Sequence, residues 1–100
     1  MCHNNPASST GPAKALVHPR VTRRHPDLTE RDVLTAWQRT IEFIHRADTG
    51  QWVVIGPAPD GRMVEMVAEK LPQGWLIYHA MTQPTRKTTT EIRAVRRRTR

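Results

Sequence analysis

The chain has 100 residues, enough for one domain, with 16 lysines and arginines against 9 acids and a formal charge of +7; a chain of this size buries only about 60 to 65% of its unfolded surface, so its core is small. A single cysteine, Cys2, excludes an internal disulfide, and Cys2 with His3 falls short of the ligand set of a zinc site. No apolar run approaches the ~20 residues of a membrane span and no signal-peptide core follows Met1, so the expectation is a soluble cytoplasmic protein without membrane contact.

The charge is unevenly spread. Seven basic residues stand against one acid, Glu91, between Arg86 and Arg100, whereas three stand against five between Thr40 and Ala80. Positive charge outside the central stretch points to a polyanion such as nucleic acid, or to an acidic protein partner.

In chain order, residues 1–20 are rich in Ser, Asn, Pro and Gly, with one short apolar patch from Ala15 to Val17. Such a segment does not offset its own ordering entropy, so a disordered N-terminal segment is expected, followed by a single domain over residues 21–100. Pro26 ends any upstream helix, and Thr29 with Asp32 resembles a capping box, so a helix is expected from near Thr29. Val33, Ala36 and Trp37 form its apolar stripe, with Leu34 beside it. From Thr40 to Arg46 the pattern suits either a helical continuation through Ile41 and Ile44 or a strand; β-branched and aromatic content favours the strand.

Three further apolar runs, Trp52 to Ile55, Met63 to Ala68 and Trp75 to Ala80, are separated by Gly, Pro and Asp. They read as strands of an antiparallel meander reversing at Asp60-Gly61 and Pro72-Gln73-Gly74. A reversal centred on Pro72 sets Glu69 opposite Trp75 and Glu65 opposite His79, making the last two neighbours on one face. After Pro84, Thr88 to Thr90 offer N-caps for a basic helix with Glu91 in its first turn. The expected fold is α+β: an N-terminal helix, a four-stranded antiparallel meander and a C-terminal basic helix.

The sequence holds no glycine-rich phosphate loop, GxSxG, Cys-x-x-Cys or His-x-x-x-His, so nucleotide hydrolysis, serine-hydrolase and zinc chemistry lack their parts, and no metal or cofactor is expected. RNA is cleavable without them, because its own 2′-OH is the nucleophile once a base removes the proton. The candidate catalytic residues are His79, Glu65 and His25; the candidate nucleic-acid contacts are Arg24, Arg62, Arg86, Lys87, Arg93, Arg96 and Arg97. A carboxylate beside His79 would favour the protonated ring as a proton donor. Structural alternatives stand beside them: a hydrogen-bonded strand-end histidine for His79, a role only in shaping the helix entry for His25 before Pro26, a solvated turn arginine, an exposed strand glutamate and a basic tail serving only as a disordered segment or an electrostatic anchor. Of the three tryptophans, Trp37 and at least one of Trp52 and Trp75 are expected in the core.

WVVIGPAPDGRMVEMVAEK followed by WLIYHAMTQPTRK resembles the BrnT-type toxins and their actinobacterial relatives, small RelE-like proteins of type II toxin-antitoxin pairs. The likeness spans about residues 20 to 90. It includes a strand ending in Ile-Gly, a Gly-Arg opening the next strand, an acid within it, a Thr-Arg-Lys lead into the last helix, and Arg24-His25 ahead of the first helix. His79-Ala80-Met81 stands where those toxins carry Ser-Ala-Arg, and no Glu follows Arg86-Lys87. The resemblance implies a metal-independent ribonuclease that stalls translation, with RNA as substrate and a cognate antitoxin as partner. The alternative from another class is a non-catalytic basic module binding nucleic acid or protein on the same fold.

Overall fold

The computed structural model describes residues 14–98. Their elements are β1 (Lys14–Val17), α1 (Pro19–Arg24), α2 (Glu30–Gln38), β2 (Glu42–Arg46), β3 (Gln51–Pro57), β4 (Met63–Leu71), β5 (Gly74–Thr82) and α3 (Arg86–Arg98). The strands form one mixed sheet in the order β1-β5-β4-β3-β2, with β1 parallel to β5 and every other pair antiparallel. The architecture is α+β, with a five-stranded sheet and three helices among the described residues.

The strands β2 to β5 are antiparallel neighbours in chain order, as expected, but β1 adds a fifth strand and makes the sheet mixed, and the stretch after Thr40 is a strand. Gly61, at φ 91°, occupies the left-handed conformation that the β3–β4 turn requires. The expectation of a disordered segment through residue 20 fails for residues 14–20. There Lys14–Val17 pairs with Gly74–Ile77, while Ala15 and Val17 pack against the core. Residues 1–13 lie outside the described residues. Pro19 then opens α1 at a position where its missing N–H costs nothing, behind His18, whose Nδ1 accepts from the Arg20 N–H at 3.1 Å. Since β1 pairs with only the first part of β5, α1 continues along the rest of that strand's edge.

On one face of the sheet, α2 is anchored by its capping box. Thr29 Oγ1 accepts from the Asp32 N–H and Asp32 Oδ2 from the Thr29 N–H, each at 3.0 Å. Val33, Ala36 and Trp37 bury against Val54, Val64, Met66, Ala68, Trp75, Ile77 and Ala80. Contact is close enough that a Cβ on Gly56 would lie 2.0 Å from the Ala36 carbonyl oxygen, so only glycine fits there. Trp37 and Trp75 are core, their rings 5.5 Å apart, while Trp52 is half-buried under His45, stacked at 4.3 Å.

The opposite face carries α3, held by Ile92 against Ile44, Val53 and Ile55, with Met63, Val67 and Val95 around them. Its start differs from expectation. Gln83, at φ 61°, turns the chain out of β5, and Thr85 precedes the helix and accepts from the Thr88 N–H at 3.2 Å. The first turn therefore holds Arg86 and Lys87 and no acid, and Glu91 falls in the second.

Candidate functional site

The β4–β5 pairing builds the site, and it departs from the expected register. The turn is the two-residue Pro72-Gln73, which sets Glu69 opposite Leu76 and Lys70 opposite Trp75, one step from the predicted pairs. A second step comes from a bulge: Val67 pairs with His79 but Ala68 with Ile77, so Tyr78 is the extra residue. One step alone would send His79 to the α2 face. Two steps return it to the α3 face, diagonal to Glu65, which itself lies opposite Met81. Ile77 and Ala80 consequently share the buried α2 face despite their odd spacing, while Tyr78 and His79 both serve the other.

Glu65 is buried, with 6% exposure, and its two oxygens are divided. Oε1 accepts from the Thr85 N–H at 3.0 Å and from Thr85 Oγ1 at 3.2 Å, the first being the contact an N3 acid makes in a capping box. Oε2 lies 3.9 Å from His79 Nε2, an electrostatic approach longer than a hydrogen bond. Glu65 thus ties the start of α3 to the sheet and orients charge at the imidazole, so the exposed-strand-residue alternative falls.

His79 is a third exposed at its side chain and sits edge-on to His25, with ring centroids 6.2 Å apart. Partial burial lowers its pKa; Glu65 pulls it up, and His25, Arg20 and Arg24 add to the lowering, leaving the net value below that of an ordinary imidazole. Glu65 acts in the expected direction, but the net effect runs against a protonated ring. In the folded chain the ring is neutral near neutral pH, which suits a proton acceptor. A carboxylate facing Nε2 favours the tautomer with its proton there, leaving Nδ1 as the accepting nitrogen.

A polar chain runs across the same face. Arg46 donates to both Glu91 oxygens, at 3.0 and 2.8 Å, and to Gln51 Oε1 at 3.2 Å, and Gln51 Nε2 donates to the Tyr78 hydroxyl at 2.8 Å. The hydroxyl that accepts from Gln51 keeps its own proton to donate. Arg20 lies over the Tyr78 ring at 6.0 Å. The hydrogen bonds from Arg46 hold the Glu91 carboxyl below the usual carboxylate range, so the pair is charged at neutral pH.

Of the candidates, the structure brings Glu65, His79 and His25 together, with Arg24 close enough to act on the His79 ring. Arg86 and Lys87 line an adjoining cleft with Arg46 and Gln51. Arg93 is exposed on α3, and the side chains of Arg96 and Arg97 lie outside the described residues. Arg62 is not part of this group. Its guanidinium meets carboxylates of Asp27, Asp32 and Asp60, so it clamps the α2 start to the β3–β4 turn instead of rimming the site.

Sequence reasoning missed Arg20, Tyr78 and Gln51. A signal for Arg20 was present in His18-Pro19-Arg20, a cap and N1 proline opening a helix that carries its basic residues to the edge of β5. Tyr78 gave none, because bulges leave no reliable mark in the residues that form them. Among the described residues no helix is long and apolar enough to cross a membrane, and no cluster of His, Cys, Asp or Glu is arranged to hold a metal. No family model, curated protein or solved structure matches the chain.

Proposed function

We propose that the chain is a metal-independent endoribonuclease, the toxin of a type II toxin-antitoxin pair with a BrnT-like or RelE-like fold. The observation that carries the reading is the convergence of a neutral, partly buried His79 with buried Glu65, a second imidazole and two arginines, drawn from β5, β4 and α1. The motif resemblance and the basic C-terminal helix agree with it. In the proposed step His79 Nδ1 takes the proton of an RNA 2′-OH, and the 2′ oxygen bonds to phosphorus. The bond to the 5′ oxygen breaks, leaving a 2′,3′-cyclic phosphate and a 5′-hydroxyl. His25 supplies the proton of the leaving oxygen, and Arg20 and Arg24 offset the charge of the phosphorane. A cognate antitoxin with an acidic segment would compete with RNA for the same cationic surface.

Induced expression with and without the neighbouring gene, scored for growth and RNA integrity, tests this reading. The wild-type chain is expected to arrest growth and fragment RNA, and the neighbouring gene to restore growth. His79→Ala is expected to lower cleavage about 100- to 10,000-fold, the usual weight of a general acid or base, with RNA binding and thermal unfolding unchanged. Unimpaired growth with the wild-type chain would leave the non-catalytic binding module standing. With His79 as base, cleavage should fall as pH drops below an imidazole's ordinary value of about 6.5 and through the lowered one. A rate that does not fall through that acidic range would remove His79 as the base.

A further inference from the structure

A cleft of about 710 Å³ opens between the β2–β3 turn and the first turns of α3, lined in part by Arg46, Asp48, Thr49, Gln51, Arg86 and Lys87. It joins the proposed centre through Gln51, whose amide donates to Tyr78, the neighbour of His79. Its volume lies within the range of small-molecule pockets, about 300 to 1,000 Å³. The charges in it are not equally committed. Glu91, also on the wall, gives both oxygens to Arg46. Asp48 acts on Arg46 only through space, so among the described residues it is the lining carboxylate with oxygens left to accept.

We infer that this cleft is a guanine subsite for a nucleotide flanking the scissile bond; the flanking position rests on the ribonuclease reading, whereas the base contact does not. A carboxylate presents two acceptors side by side. Guanine, with N1–H next to its N2 amine, is the base whose pairing edge offers two adjacent donors. Adenine sets an acceptor beside one donor, cytosine sets two acceptors beside one donor, and uracil has a donor between two acceptors. The remaining edge of guanine carries O6 and N7, the pair of acceptors that arginine and lysine contact most often in base recognition. Arg86 and Lys87 on the α3 side of the cleft supply cations for that edge while Asp48, on the β2–β3 turn, takes the other. Hydrogen-bonding of Asp48 to guanine's donors also leaves the Arg46–Glu91 pair undisturbed.

The test is equilibrium binding of GMP, AMP, CMP and UMP to the full chain, alongside cleavage of a mixed-sequence RNA. GMP is expected to bind at least about tenfold more tightly than AMP, in keeping with one bidentate base contact. Asp48→Ala and Asp48→Asn should both remove that preference, with the thermal midpoint as the check on folding. The asparagine keeps the size of the side chain but replaces one acceptor by a donor. Equal binding of the four nucleotides, or a GMP preference surviving in both variants, overturns the subsite. RNA cleavage with no guanine bias would overturn the subsite's place beside the scissile bond and spare the ribonuclease reading. Selective GMP binding without cleavage would support the subsite and sink the ribonuclease.

Discussion

On the α2 face of the sheet Val54, Val64, Met66, Ala68, Ile77 and Ala80 are closed over by Val33, Ala36 and Trp37. The α3 face buries a smaller apolar group around Ile92 and places Glu65, Tyr78, His79, Gln51 and Arg46 beside it, joined through hydrogen bonds and charge. The two faces share strands and backbone, so their difference lies in what covers them. The α2 helix is apolar enough to exclude water along much of its length. The α3 helix touches the sheet chiefly near β2, leaving Tyr78 and His79 on β5 ordered yet partly exposed beside the buried Glu65. Stability is therefore expected to follow changes on the first face and chemistry those on the second.

The largest break in that division would come from Gly56→Val. The new Cβ would meet the Ala36 carbonyl oxygen, a backbone atom with no room to move, and urea unfolding should show a loss of about 3 kcal/mol, the upper end for overpacking. An unchanged midpoint would mean that α2 is not seated as described. Glu65→Ala should sharpen the comparison because this residue belongs to both accounts. It leaves the Thr85 N–H without its carboxylate, at a cost of about 1.5 to 3 kcal/mol, and should lower cleavage as well. A loss of stability with undiminished cleavage would make Glu65 solely an anchor for α3. The smallest effect is expected at Arg46→Ala, whose pair with Glu91 retains roughly a third of its exposure, worth at most about 1 kcal/mol. Because Glu91 has its pKa lowered, the contribution of that pair is present above the ordinary glutamate value and lost as pH falls through the lowered one. Acid titration of wild type and variant should converge in that range.

Legibility from sequence follows how local the cause is. The α2 cap was readable because Thr29 and Asp32 satisfy each other within one turn. The meander was readable because its turns carry their own chemistry. By contrast β1 is a four-residue strand whose partner lies far along the chain, and a parallel pairing of that kind leaves no local pattern. The neighbourhood of Glu65 and His79 was anticipated on a wrong register. The actual turn and the Tyr78 bulge each shift the pairing by one, and parity returned His79 to the expected face. Arg62 was misplaced for the opposite reason, since Asp27 and Asp32, distant in sequence, reach it only in the fold. The protonation preference of His79 was also misjudged, because burial and the arginines of α1 outweigh the single carboxylate visible in the strand pattern.

End-group analysis of cleaved RNA bears most directly on the claim that His79 and Glu65 form a centre for attack by the 2′-OH. The purified chain would be incubated, with a chelator present, with a mixed-sequence RNA to locate the cut, then with the same RNA carrying one 2′-deoxy nucleotide at that cut. The account predicts a 2′,3′-cyclic phosphate and a 5′-hydroxyl at the cut, none at the deoxy position, and products from His79→Ala lowered at least about 100-fold. A 5′-phosphate end, cleavage at the deoxy position, or equal products from the variant would contradict it.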